Sequence, residues 1–135
     1  MPSTLLIRAT TGILAEMLLL ATGCQRFRPP DSLEGVNLNW QLSPQPPHEG
    51  QATVTVDLTG QDKKPVTGAT VHIKGNMSHP GMKPVFGEGK EVSPGRYQAP
   101  LEFTMGGDWF LLIDVKLADG RRMSKQVDVP GVQGE

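Results

Sequence analysis

Trp109-Phe110-Leu111-Leu112-Ile113-Asp114-Val115-Lys116-Leu117 decides the fold. Every second residue from Trp109 to Leu117 is large and apolar, the period of a strand with one face on a core. Phe110 and Leu112 make the other face apolar in part, so this strand is expected inside its sheet rather than at an edge, with Trp109 in the core. Ala118-Asp119-Gly120 then reads as a hairpin turn leading into Met123, Val127 and Val129.

Upstream, Gly106-Gly107-Asp108 is turn material, and before it Tyr97, Ala99, Leu101 and Phe103 alternate with polar neighbours after Ser93-Pro94-Gly95. The same period runs through Ala69, Val71 and Ile73 and through Val54, Val56 and Leu58, with Gly60-Gln61-Asp62-Lys63-Lys64-Pro65 as the turn between them. Val36, Leu38, Trp40 and Leu42 alternate with Asn37, Asn39 and Gln41, which places a first strand between two proline-rich segments. No helical apolar period follows the amino-terminal segment. The pattern predicts an all-β fold, an immunoglobulin-like β-sandwich of about six to seven antiparallel strands.

Composition agrees: 16 glycines and 12 prolines in 135 residues suit turn-rich β structure, and 37% hydrophobic residues exclude wholesale disorder. The formal net charge of −1 offers no basic surface for nucleic acid, so no nucleic-acid partner is expected. The single cysteine, Cys24, rules out an intramolecular disulfide and a cysteine-rich metal site.

Residues Leu5 to Gly23 form an apolar stretch with small residues before Cys24, where a signal peptide would sit. Leu20-Ala21-Thr22-Gly23-Cys24 resembles a lipobox, the cleavage site before a diacylated cysteine. The expected organisation is a lipoprotein signal over 1–23, a tether with room for one strand over 24–49, and the sandwich over 50–135. The protein is then anchored through lipidated Cys24 and works outside the cytoplasm, on the periplasmic side in a Gram-negative cell. Glu16 and the lone basic residue Arg8 both fall within the apolar stretch, which is unusual for such a signal.

The longest stretch without a strand pattern is Gly75 to Pro94, and it carries Met77, His79 and Met82, with Met105 in the turn after Phe103. Thioether and imidazole are soft and borderline donors that suit Cu(I). Methionines also fill irregular gaps in cores, and a loop histidine is commonly just solvated, so packing is the competing account. His72 falls on the solvent side of its strand and His48 in the tether, neither with an expected role. Glu88, Lys90 and Glu91 read as a solvated charged run. No nucleophile with a positioned base and no phosphate loop is present, so the chain is not expected to be an enzyme.

Gly75-Asn76-Met77-Ser78-His79-Pro80-Gly81-Met82, Gly95-Arg96-Tyr97 and Met105-Gly106-Gly107-Asp108-Trp109 together resemble the FixH/YtkA-like family of small exported β-sandwich domains over about Gly50 to Val129. The resemblance implies a copper-handling module, with Met77, His79, Met82 and Met105 as Cu(I) ligands and a copper-transfer or oxidase-assembly protein as partner. It also implies a link to respiratory oxidase assembly or cation transport. The alternative expectation is a structural or protein-interaction sandwich that binds no metal.

Overall fold

Alternation of apolar and polar side chains becomes alternation of buried and exposed ones in every long strand of the computed structural model, which describes residues 29–135. The strands are β1 (Val36–Ser43), β2 (Gly50–Gly60), β3 (Thr70–Met77), β4 (Val85–Glu88), β5 (Lys90–Ser93), β6 (Arg96–Phe103), β7 (Gly107–Lys116) and β8 (Arg122–Val132). They form two four-stranded antiparallel sheets, in the orders β1-β2-β6-β5 and β4-β3-β7-β8. That is the strand arrangement of an immunoglobulin-like sandwich. No helix occurs among the described residues. The signal over 1–23 and Cys24 lie outside the described residues.

β7 lies between β3 and β8, as its two-sided apolar pattern requires. Its inward residues Trp109, Leu111, Ile113 and Val115 meet Leu58, Tyr97, Leu101 and Phe103 of the facing sheet in one core. Trp109 is 2% exposed and stands edge-on to Phe103, ring centres 5.3 Å apart at 68°. Such a pair adds to area burial because the positive ring edge meets the negative face.

Two strands escape the sequence pattern. The stretch Gly75 to Pro94 is irregular from Ser78 to Pro84 and at the single residues Gly89 and Pro94, because β3 runs on to Met77 and the short β4 and β5 follow. All four residues of β5 are exposed, so no buried period marks it. β4 crosses close beneath β6 at Gly87, where an added Cβ would collide with the Pro100 carbonyl oxygen. A glycine there signals close backbone approach rather than a loop.

The segment before β2 belongs to the domain. β1 pairs with β2 along its whole length, from Val36 opposite Gly60 to Ser43 opposite Thr53, and buries Leu38 and Leu42. Earlier still, the Pro30 carbonyl accepts the Ser124 N–H at 2.9 Å, which ties the chain to the outer edge of β8.

The sandwich therefore has two distinct poles. The β1–β2, β3–β4 and β6–β7 connections and the carboxyl end of β8 share one, here called the methionine pole. The β2–β3, β5–β6 and β7–β8 connections share the other, where the chain also enters at Pro29 and Pro30.

Candidate functional site

Met77, His79, Met82 and Met105 all lie at the methionine pole, in four different settings. Met77 is the last residue of β3, paired with Trp109, and only 8% exposed. It belongs to the core, not to a loop. The inward alternation Val71, Ile73, Gly75, Met77 puts it there. Its methyl group lies 2.8 Å from where a Cβ on Gly107 would stand, and Gly107 has a positive φ of 129°. Gly107 is thus fixed both by its backbone and by the thioether packed on it.

His79 sits exposed in the turn after β3. Two residues past Gly81, which takes a φ of 82°, the chain is already heading back toward β4. Within this turn the Met82 N–H reaches the His79 carbonyl at 3.4 Å, and the half-buried Met82 side chain packs on the edge of the core. Met105 is 38% exposed. Its carbonyl accepts the Trp109 indole N–H at 3.0 Å, so the β6–β7 turn is held over the residue that pairs with Met77. Folding thus brings Met77, through its pairing with Trp109, and the backbone of Met105, through its bond to the Trp109 indole, to the same pole although they are distant in sequence.

Glu49 completes this pole, and no sequence pattern marked it. Its carboxylate oxygen Oε1 accepts the Gly106 N–H at 2.7 Å, clasping the turn that carries Met105. The Glu49 N–H donates to the Gln133 carbonyl at 2.8 Å, and the Gln133 N–H to the Pro47 carbonyl at 2.9 Å. The carboxyl-terminal tail is thereby laid alongside residues 47–49, with Gly134 so near Gly106 that a Cβ there would lie 2.6 Å from its nitrogen. Such contacts across the whole chain length have no local signature.

Among the described residues no three His, Cys, Asp or Glu side chains are grouped to hold a metal. The donors at this pole are the Met77, Met82 and Met105 thioethers and the imidazoles of His79 and His48, with the Glu49 carboxylate engaged at Gly106; the thioethers and imidazoles would suit Cu(I).

The opposite pole holds a polar network. The Tyr97 hydroxyl donates to the Val66 carbonyl at 2.8 Å and accepts the Ala69 N–H at 3.0 Å, pinning the β2–β3 crossover to β6. Burial pushes the Tyr97 phenol above its usual range. Glu91 accepts the N–H groups of Gly95 at 3.1 Å and Gly68 at 3.3 Å, and the Gly95 bond chiefly holds its carboxyl below the usual carboxylate range. Glu91 is solvent-exposed, as a solvated charged run requires, but its carboxylate also bridges two loops that only the fold brings together. The Gly95-Arg96-Tyr97 motif likewise serves the scaffold and not the methionine pole. His72 is exposed on the outer sheet face, as its alternation requires, and His48 is exposed at the methionine pole, bridged to Gln133 just past β8.

The fold is shared with a crystal structure of a DUF4426 family protein from Pseudomonas aeruginosa PAO1, at a TM-score of 0.58. The two chains are 13% identical, and the alignment covers 77% of this chain and 96% of the other, a likeness of fold alone. No curated protein sequence matches the chain. The model of the YtkA-like family matches residues 34–114, from just before β1 into β7 and across all four candidate residues, and the chain belongs to the YtkA-like family.

Proposed function

We propose that this exported β-sandwich domain is a membrane-tethered, extracytoplasmic module that binds Cu(I) at the methionine pole and hands it to a partner protein. The reading is supported by one observation above the others. Met77 at the end of β3, Met105 in the β6–β7 turn, and His79 and Met82 in the β3–β4 turn all belong to the same pole of the sandwich. Thioether sulfur and imidazole nitrogen hold Cu(I) without a thiolate, and such ligation releases the ion readily to a stronger acceptor.

His79 and Met105 are the exposed members and would meet an incoming ion first. Met82 is half-buried at the edge of the core, and Met77 is the buried member, its methyl group packed against Gly107. Glu49 acts through Gly106 by holding Met105 in place. Lipidated Cys24 would keep the domain at the membrane surface, where a respiratory oxidase under assembly or a cation transporter is a fitting recipient.

A Cu(I) titration against a competing chelator tests the proposal. The native protein should outbind a variant carrying His79→Ala, Met82→Leu and Met105→Leu, while His72→Ala leaves the affinity unchanged. Equal binding by native protein and triple variant overturns it. A second reading, a sandwich that binds a protein and no metal, is favoured by the burial of Met77 in the core. Under that reading the triple variant is as stable as the native protein and copper alters neither.

A further inference from the structure

The two sheets differ in how much apolar surface they expose: the β1-β2-β6-β5 sheet has Val92, 53% exposed, at its β5 edge. The face of the β1-β2-β6-β5 sheet is lined by Asn37, Asn39, Gln41, Thr53, Thr55 and Gln98. That of the β4-β3-β7-β8 sheet carries Phe86, 69% exposed, with the half-buried Phe110 and Leu112. Lys74 pairs with Phe86 on one side and Leu112 on the other, so ring, lysine stem and leucine run side by side, and Phe110 follows on the same face of β7. Phe86 is thus not a lone exposed ring but the exposed end of an apolar strip that continues through Leu112 and Phe110.

The chain enters the domain on this same face. Pro29 lines a shallow groove with Thr70, His72, Asp114 and Lys116, all of them on the outer surface of β3 and β7. Only Gln25-Arg26-Phe27-Arg28 separates Cys24 from Pro29, about 17 Å when fully extended. Along β3, Lys74 lies four residues from Thr70, about 13 Å. A bilayer that holds the acyl chains of Cys24 therefore stays within reach of the Phe86 ledge.

We infer that this face docks on the lipid bilayer, with Phe86 entering the interface as a wedge and Phe110 and Leu112 resting behind it. The inference rests on the reading of Cys24 as acylated. The same face mixes Lys74, Lys116 and Arg122 with Glu88, Asp114 and Asp128. Its attraction is therefore apolar, and lysine stems can lie along the surface with their ammonium groups in the headgroups. One ring would bind a bilayer feebly from free solution, but a short tether supplies a high effective concentration and makes weak docking sufficient. Docked so, the methionine pole opens sideways along the membrane.

The test uses the full mature protein with Phe86→Trp or Gln98→Trp, reconstituted into phosphatidylcholine vesicles with and without brominated acyl chains. Measured against the native protein, whose Trp40 and Trp109 set the background, the emission added by Phe86→Trp is expected to be quenched by the brominated lipid, while that added by Gln98→Trp on the other face is not. Neither phosphatidylglycerol nor about 0.5 M salt should change the difference. Equal quenching of the two variants overturns the docking and leaves the anchor standing. A mature protein whose mass lacks acyl chains overturns the anchor and the docking with it. A concentration-dependent shift of the Phe86→Trp emission in detergent, before any vesicle is added, assigns the face to a second copy of the chain and overturns the inference.

Discussion

Met77 is at once the buried member of the candidate copper site and a part of the hydrophobic core, and two substitutions separate these roles. Met77→Ala removes a side chain that is 8% exposed and packs on Gly107 beside Trp109. Truncating a buried methionine costs about 2–5 kcal/mol, because lost transfer energy is joined by the cavity left behind. The glycine wall cannot collapse far, since Gly106 and Gly107 are held by Glu49, by the tail at Gly134 and by the Met105–Trp109 bond. A loss of about 3 kcal/mol, against a urea slope of about 1–3 kcal/mol per molar, moves the unfolding midpoint by roughly 1–3 M. Met77→Leu keeps the volume and should cost under about 1.5 kcal/mol. Unfolding in urea followed by tryptophan fluorescence measures both. The same Met77→Leu protein should bind Cu(I) more weakly than the native one, since leucine has no donor. A Met77→Ala midpoint unmoved from the native value would refute the packing argument, and an unchanged Cu(I) affinity in Met77→Leu would remove Met77 from the site.

Tyr97→Phe leaves the Val66 carbonyl and the Ala69 N–H without their partner, and should destabilise the protein by about 1–3 kcal/mol in thermal unfolding. Glu91 has a carboxyl held below its usual range, so its stabilising contribution is present above the unfolded carboxylate range and disappears as the pH falls through the lower folded value. The difference in Tm between native protein and Glu91→Gln should accordingly shrink from about pH 7 to about pH 3; a constant difference would contradict the assignment. Glu49→Ala should speed hydrogen exchange at Gly106, with Glu49→Gln closer to native because its amide oxygen can still accept the bond. Unchanged exchange in Glu49→Ala would show that the turn is held by other contacts.

The strands that carry the core were legible because each buries one face, and burial on a pleated chain writes itself as a period of two. β7 shows this best: Trp109 to Val115 declared both the strand and its interior place. The same rule applied past Ile73 reaches Gly75 and Met77, so the burial of Met77 was present in the sequence, masked by its position beside a turn-forming Ser-His-Pro-Gly run. β4 and β5 were hidden for the opposite reason. They bury almost nothing, and backbone pairing leaves no mark in the side chains.

The family signature and the kinds of donor atom belonged to the sequence alone, as did the turn glycines that let the chain reverse. Only the tertiary structure decided that Glu49 clasps Gly106, that Glu91 bridges Gly68 and Gly95, and that Phe86 shares its face with the entering chain. These contacts join segments far apart along the chain, and a hydrogen bond or a shared surface between distant residues depends on how strands are ordered in the sheets. Local periodicity reports whether a residue faces inward or outward. It carries no information about which neighbour waits there.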